Sequence, residues 1–216
     1  MRFLGEFRLR RPTAGVKCWY QLPFRIGLAQ RTGTVAGAVN SQESKPTEVL
    51  MSNSYYKEMV RLADSIADKA HEGQTDRNGW PYISHPRRVA LGARKLVSEM
   101  AAATHPDSSL EELKTEAQIV ALLHDTVEDT GVSLAYLARH FSARIVDAID
   151  ALTHRPGESR ESYLSRVRVN DLARLVKLAD IADNTDPHRL ALLPEPTRST
   201  LMIKYEHSLK LLHLND

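Results

Sequence analysis

The sequence predicts an all-α fold, a helical bundle in a single domain that follows an irregular N-terminal leader. From Met51 onward, apolar residues recur at steps of three and four, which is the spacing of one face of a helix. No segment rich in valine, isoleucine and threonine alternates with polar residues as a strand would. The 216 residues are enough for one medium-sized domain with a sizeable core.

Residues 1–50 are the predicted leader and residues 51–216 the predicted domain. The leader shows neither helical nor strand periodicity, and prolines and glycines interrupt it. Three interpretations of it stay open. It is a disordered segment, the product of a translation start upstream of the true start at Met51, or an arginine-rich targeting peptide.

Charge and composition narrow the classes of function. The leader holds eight basic and three acidic residues and so has a net charge of +5. Because the whole chain has a net charge of +2, the remaining 166 residues have a net charge of −3. A mildly acidic body argues against a nucleic-acid-binding protein, which needs a dense basic surface. No apolar run reaches the roughly 18–20 residues of a membrane span, and none is predicted. The single cysteine, Cys18, cannot form an internal disulfide, so a reducing cytoplasm is expected.

Capping residues and prolines mark the first three predicted helices. Asn53 and Ser54 are predicted caps of the first helix, and Pro86 is expected to be the first residue of the second. Ser109 and Glu112 have the spacing of a capping box at the start of a third, which should lead to the segment after Leu123.

Similar signals mark the later helices. Gly131 is predicted to end a helix, Ser133, Ser142 and Asn170 to cap three more, and Pro196 to begin the last. Apolar residues form a predicted stripe on five of the helices. They are Met59, Ala63, Ile66, Ala67 and Ala70 on the first; Val89, Ala93, Leu96, Val97 and Met100 on the second; Ile145, Val146, Ile149 and Leu152 after Ser142; Leu172, Leu175, Val176 and Ala179 after Asn170; and Leu201, Ile203, Leu209 and Leu212 after Pro196.

One segment concentrates acids behind an apolar run. On a helix, His124 and Glu128 would share a face, and so would Asp125 and Asp129. Burying unpaired charges costs several kcal/mol each, so a buried cluster of this kind requires a cation. The adjacent His-Asp pair offers one nitrogen and one oxygen ligand, which suits a divalent metal. The alternative is an exposed helix end where acids happen to cluster.

Two further segments supply similar residues. His85 precedes Pro86, so it should stand at the start of a helix, where its side chain can project into a cleft. Asp180 and Asn184 should share one helical face behind an apolar run. Each residue alone could be structural, but all three segments in order, separated by helices, are hard to explain by chance.

The order H…HD…D resembles the HD superfamily of metal-dependent phosphohydrolases. The fuller text, G-x-P-Y-I-x-H-P, A-L-L-H-D-T-V-E-D-T and V-K-L-A-D-x-x-x-N, resembles the hydrolase domain of RelA/SpoT-type proteins and the small alarmone hydrolases, over about residues 51–195. This resemblance implies an all-helical HD fold, one Mn²⁺ ion and hydrolysis of the 3′-pyrophosphate of (p)ppGpp to GDP or GTP and pyrophosphate. The implied partner is a small-molecule nucleotide.

The resemblance also implies roles for individual residues. The implied metal ligands are His85, His124, Asp125 and Asp180; the implied catalytic acids are Glu128 and Asp129; and the implied substrate contacts are Arg77, Tyr82, Lys177 and Asn184. His71 is expected to line the cleft. The histidines outside the motifs, expected at the surface or in the core, are His105, His140, His154, His207 and His213.

One departure from the family's pattern concerns base recognition. An acid, Asp76, stands where a basic residue is frequent in family members that recognise guanine. Asp76 either shapes the turn that Asn78 and Gly79 predict or accepts hydrogen bonds from a base, while Arg77 could stack on the base or pair with phosphate. Looser base discrimination is therefore expected.

Three other functional expectations follow. The chain stops too soon after the HD motifs for a synthetase domain, so synthesis of the alarmone is not expected. The alternative substrates are other nucleotides, such as a 2′- or 3′-phosphorylated dinucleotide. The alternative from another class is a catalytically idle module that binds a nucleotide, and the complete set of motif residues argues against it.

Overall fold

The computed structural model describes residues 46–101 and 108–213. Across these residues the secondary structure is helical apart from one isolated bridge between Thr75 and Pro81, so the all-α prediction is confirmed. The helices are α1 (Pro46–Ala70), α2 (Ser84–Ala101), α3 (Ser108–Leu123), α4 (Thr126–Asp129), α5 (Leu134–Leu137), α6 (Ala143–Leu152), α7 (Arg160–Val169), α8 (Asp171–Asn184), α9 (Pro187–Leu190) and α10 (Glu195–Leu212).

The first helix begins earlier than the sequence predicts. Its first residue is Pro46, whose fixed φ suits the first turn of a helix, and it runs through Asn53 and Ser54 without a break. The prediction that these two residues cap the helix is therefore wrong. The predicted boundary between residues 50 and 51 lies inside α1, and residues 1–45 lie outside the described part of the chain.

The apolar stripes pack into one core, as predicted, except on α10. Ala63, Val89, Ile149 and Val176 are completely buried, one from each of four helices. Ile203 is 70% exposed, however, and the prediction that it joins the stripe of α10 is wrong. The buried face of α10 instead consists of Leu201, Tyr205, Ser208 and Leu212, at steps of four, three and four.

Side-chain caps hold several of the predicted helix starts. The Ser133 hydroxyl accepts a hydrogen bond from the Tyr136 amide at 3.1 Å, and the Asn170 side chain accepts one from the Ala173 amide at 2.9 Å. Ser142 precedes α6 as predicted, but its side chain makes no capping bond. The side chain of Ser109 lies outside the described residues.

The packing of the helices leaves an open space beside α8. Helix α2 packs against α3 and α8, α1 packs against α3, and α7 and α10 pack against each other and against α8. Residues of α7, α8 and α10 line this cleft. Within residues 46–101 and 108–213, none of the helices combines the length and the apolar character needed to traverse a bilayer.

Candidate functional site

The end of α3 sets the position of the His-Asp pair. The His124 imidazole bonds through Nδ1 to the carbonyl oxygen of Ala121 at 2.7 Å, and the Thr126 hydroxyl donates to the carbonyl of Leu123 at 2.8 Å. Since these side chains satisfy carbonyls that a continuing helix would need, α3 ends at Leu123. His124 and Asp125 lie in the turn before α4, so the helical geometry considered for residues 124–129 does not extend over the whole segment.

Three predicted ligands converge from separate elements to form the His/Asp cluster, defined as His85, His124 and Asp125. One ligand atom from each of them lies within 4.8 Å of the others. The Asp125 Oδ2 atom is 2.9 Å from Nε2 of His124 and 3.8 Å from Nε2 of His85. His85 lies at the entry of α2 as predicted, although the helix begins at Ser84, two residues before the predicted first residue Pro86.

The chemistry of the donor atoms fits a divalent cation. Nδ1 of His124 faces a carbonyl oxygen, so it carries the hydrogen and leaves a lone pair on Nε2. Nε2 is buried without a hydrogen-bond partner, although it is close to the Asp125 carboxylate. Nδ1 of His85 faces Asp183 Oδ2 at 2.7 Å, which likewise directs Nε2 of His85 into the cluster. Imidazoles that bind a metal are oriented in the same way.

The electrostatics of the cluster favour positive charge. Burial alone would lower the pKa of His85, but the adjacent carboxylates of Asp180 and Asp183 outweigh it and raise this pKa to about 9. Burial also opposes charge on His124, and Asp125 overcomes it, so that pKa is raised as well. The negative potential that raises the pKa of both imidazoles also attracts a divalent cation, which competes with protons for their nitrogen atoms.

Asp180 borders the cluster from α8. Its Oδ1 atom lies 3.2 Å from Nε2 of His85 and 3.9 Å from Nε2 of His124. Asn184 donates to Oδ1 at 2.6 Å, so Asp180 and Asn184 share one face of α8 as predicted, and Lys177 donates to Oδ2 at 2.9 Å from the same face. Burial would raise the pKa of Asp180, but Lys177 and the imidazoles hold it well below its usual range.

The two predicted catalytic acids lie at the edge of the same cleft. Glu128 accepts a hydrogen bond from the His154 amide through Oε2 at 2.7 Å. Asp129 lines the cleft beside it, and burial together with the charges of Asp125 and Glu128 raises its pKa. A carboxylate with a raised pKa is better suited to accept and return a proton near neutral pH than an ordinary one.

Tyr82 connects the turn before α2 to the cluster. Its hydroxyl donates to Asp125 Oδ2 at 2.5 Å, and burial and the charge of Asp125 raise the pKa of Tyr82, so it stays a donor. The ring of His71 packs on that of Tyr82 with their centroids 4.7 Å apart. His71 is buried and does not line the cleft itself, so the expectation that it does is wrong.

The turn of residues 75–81 carries the predicted base-binding residue. Asp76 Oδ1 accepts hydrogen bonds from the amides of Asn78 and Trp80 at 2.9 and 3.0 Å, and Gly79 has a φ of +79°. Asp76 Oδ2 accepts a bond from Arg189 at 3.1 Å. Asp76 therefore shapes the turn, which is one of the two predicted alternatives. Arg77 is exposed and lines the cleft.

The cleft encloses about 570 Å³ between the His/Asp cluster and α10. Three cations in its lining form its basic end, defined as Arg77, Arg160 and Lys204. Among the described residues, none of these three cations has a carboxylate within 4.0 Å. Burial and the charges of Arg160, Lys177 and Arg77 lower the pKa of Lys204, which indicates a positive potential there.

Several residues in or next to the cleft were not predicted from the sequence. His154, expected at the surface or in the core, lines the cleft, and its ring is 5.2 Å from that of Tyr163. Arg160 and Lys204 lie on α7 and α10, outside every motif, so only the packing of those helices reveals them. Asp183 had a detectable signal, because it follows Asp180 by three residues and a helix places that spacing on one face.

A comparison with known families covers the middle of the chain. Residues 82–187 match the family model of the HD domain, and this range includes all four predicted metal ligands. These residues form an HD domain. The HD domain thus extends from Tyr82 through α8, and the predicted membership is confirmed.

Relatives of this HD domain are much longer proteins. The chain is 30% identical over 135 residues to a probable GTP pyrophosphokinase of Mycobacterium leprae, a match that covers 58% of this chain and 15% of the relative. It is 31% identical over 138 residues to a guanosine-3′,5′-bis(diphosphate) 3′-pyrophosphohydrolase of Vibrio cholerae, covering 59% of this chain and 17% of the relative. The chain therefore spans less than a fifth of the length of either relative.

A solved structure has the same fold. It belongs to a metazoan ortholog of SpoT described as hydrolysing ppGpp, and it aligns with a TM-score of 0.53 at 20% identity. The alignment covers 73% of this chain and 87% of the ortholog. The predicted all-helical HD fold is confirmed by this similarity.

Proposed function

We propose that this protein hydrolyses the 3′-pyrophosphate of (p)ppGpp with one Mn²⁺ ion and releases GDP or GTP and pyrophosphate. The observation that carries the proposal is the lining of the cleft, which includes the buried His/Asp cluster and a basic end whose cations have no carboxylate within 4.0 Å in the described part of the chain. A nucleotide with phosphates at both the 3′ and 5′ positions has two anionic groups to place against these two sets of residues. The names of the relatives support this substrate class.

In this proposal His85, His124, Asp125 and Asp180 hold the metal. Two imidazole nitrogens with carboxylate oxygens form a mixed donor set that suits Mn²⁺. When bound, the ion makes water more acidic and offsets negative charge on the phosphoryl oxygens. Tyr82 fixes the Asp125 carboxylate, and Lys177 and Asn184 fix that of Asp180.

The acids at the edge of the cleft handle the protons. Water attacks the phosphorus next to the ribose, its oxygen forms the new P–O bond, and the bond from that phosphorus to the 3′-oxygen breaks. Glu128 and Asp129 accept the proton of the water and return one to the 3′-oxygen. The His154 amide restrains Glu128, so the acid is positioned before the substrate arrives.

The remaining cleft residues bind the nucleotide. The basic end takes the 5′-phosphates, because Arg160 and Lys204 lack carboxylate partners among the described residues while Arg189 is occupied by Asp76 and Asp183. Arg77 contacts the base or a phosphate from the turn. We also propose that the protein acts in the cytoplasm, which agrees with a single cysteine in 216 residues.

The test is release of pyrophosphate from ppGpp with Mn²⁺ and with a chelator. We expect turnover only with the metal, and GDP as the nucleotide product. Binding without turnover would support the idle module, and turnover of a 2′- or 3′-phosphorylated dinucleotide in place of ppGpp would support the alternative substrate class. Either result contradicts the proposal.

A pair of variants on α10 tests the basic end. Lys204→Met should raise KM for ppGpp by about tenfold, since one charged contact is worth about 1.5 kcal/mol or more. Lys210→Met is the matched control, because Lys210 lies on the same helix and pairs with Glu206 at the surface. Equal KM values for the two variants would exclude Lys204 from the substrate site.

A further inference from the structure

We propose that Asp183 is a positioning residue that orients His85 toward the metal, and that Arg189 holds Asp183 in place. This inference rests on the metal site proposed above, but it concerns Asp183, which occupies an unspecified position of the third motif, and Arg189, which follows that motif. Asp183 contacts Nδ1 of His85, on the opposite side of the ring from Nε2, so Asp183 is not itself a ligand of the metal.

The contact of Asp183 with His85 determines which nitrogen is free. A carboxylate only accepts hydrogen bonds, so the 2.7 Å contact requires a hydrogen on Nδ1. Nε2 then presents its lone pair to the cluster. His124 achieves the same orientation with the neutral carbonyl of Ala121, whereas His85 uses a full negative charge, which makes its imidazole the more basic ligand.

Two arginines restrain Asp183 from both sides. Arg88 donates from Nε to Oδ1 at 2.7 Å and from Nη2 to Oδ2 at 3.2 Å. Arg189 donates from Nη1 to Oδ2 and to the backbone carbonyl of Asp183. The Asp183 side chain is 10% exposed, so its orientation depends on these bonds and little on water.

Arg189 extends the network to the turn. Its Nη2 donates to Asp76 Oδ2 at 3.1 Å, and Asp76 in turn bonds the amides of Asn78 and Trp80. Asp76 and Asp183 balance Arg88 and Arg189, so the network is close to neutral by itself. Because it has little net charge, the network fixes the positions of these side chains without attracting the phosphate groups of the substrate.

The test is the affinity for Mn²⁺, measured by titration calorimetry well below the thermal midpoint of each variant. Asp183→Asn should bind Mn²⁺ about 10–100-fold more weakly, as expected when the partner of a ligating imidazole is lost. KM for ppGpp at saturating Mn²⁺ should stay close to that of wild type. A residue with a merely structural role would lower the thermal midpoint and leave the affinity for Mn²⁺ unchanged.

Two more variants complete the experiment. Arg189→Gln should weaken Mn²⁺ binding by up to about tenfold, and the double variant should bind no more weakly than Asp183→Asn alone, because both changes act through one contact. If Asp183→Asn does not fold, Arg189→Gln decides the question. Asp64→Asn is the control, because Asp64 makes a similar bidentate pair with Arg87 away from the cluster, and it should bind Mn²⁺ as wild type does.

The outcomes separate the two proposals. Wild-type affinity in both Asp183→Asn and Arg189→Gln overturns the positioning role and leaves the proposed function intact. Failure of the wild-type protein to bind Mn²⁺ overturns the metal site and the inference together. An equal loss of affinity in Asp64→Asn also overturns the inference, since the effect would then belong to any ion pair of this kind.

Discussion

Replacing Glu158 with glutamine should make the stability of the protein less dependent on pH. Arg166 forms a bidentate pair with Glu158, from Nε at 2.8 Å and Nη2 at 2.7 Å, and also donates to the carbonyls of Asp150 and Thr153 at the end of α6. The loop between α6 and α7 carries His154, whose amide holds Glu128. The pair therefore stabilises a segment that borders the site.

The magnitude follows from the pKa of Glu158. The hydrogen bonds from Arg166 lower this pKa from an ordinary value of 4.5 to about 2. At about 1.4 kcal/mol for each pKa unit the upper bound is about 3 kcal/mol, and screening by solvent at the protein surface reduces the expected value to about 1–2 kcal/mol. Because the folded pKa is the lower one, this stability is present above the unfolded pKa and is lost as the pH falls toward about 2.

The measurement is urea unfolding, followed by circular dichroism between about pH 7 and pH 3. Wild type should exceed Glu158→Gln by about 1–2 kcal/mol at neutral pH, and most of the difference should be gone by about pH 3. Glu195→Gln is the control, because Glu195 pairs with Arg198 in full solvent and should change little. A difference between wild type and Glu158→Gln that is the same at both pH values would refute the reasoning.

Three further predictions address the chemistry. Asp125→Ala should lose bound metal and activity together while keeping its helical spectrum, and full occupancy by elemental analysis would remove Asp125 from the ligands. Glu128→Gln should keep the metal and the bond from the His154 amide, yet lower kcat by about 10²–10⁴-fold, the usual contribution of a proton-transferring group; near wild-type turnover would make Glu128 a surface acid. Arg77→Ala should lower kcat/KM for ppGpp, and wild type should prefer ppGpp over ppApp by only about tenfold, or about 1.4 kcal/mol; a preference of about a thousandfold would reveal another group that recognises guanine.

Periodicity and short motifs were sufficient for the apolar faces of α2, α6 and α8 and for the residues of the cluster, whereas α7 and α9 were not predicted. Apolar steps of three and four are local, so the buried faces of α2 and α8 follow directly from the text of the sequence. The same holds for Asp180 and Asn184, which are one turn apart on a helix. These predictions depend on geometry within single elements.

The features that were missed depend on contacts between elements or on side chains that bond the backbone. Helix α3 ends after Leu123 because the side chains of His124 and Thr126 bond to its backbone carbonyls. A hydrophobic pattern does not predict such bonds. The face of α10 was misjudged because Ile203 is as apolar as its neighbours and only the packing of α7 and α8 selects which side is buried. Lys204 could not be recognised for the same reason.

The two sides of the cleft differ in how far the match to the HD domain covers them. The metal-side residues and Arg160 fall within the matched range of residues 82–187, whereas α10 and Arg77 lie outside it. Substitutions on the exposed edge of α10 could therefore drift and shift the preferred nucleotide while the hydrolytic chemistry is preserved. A lineage could acquire a new substrate in this way with very few changes, and the sequences of the last helix are where such divergence should be sought.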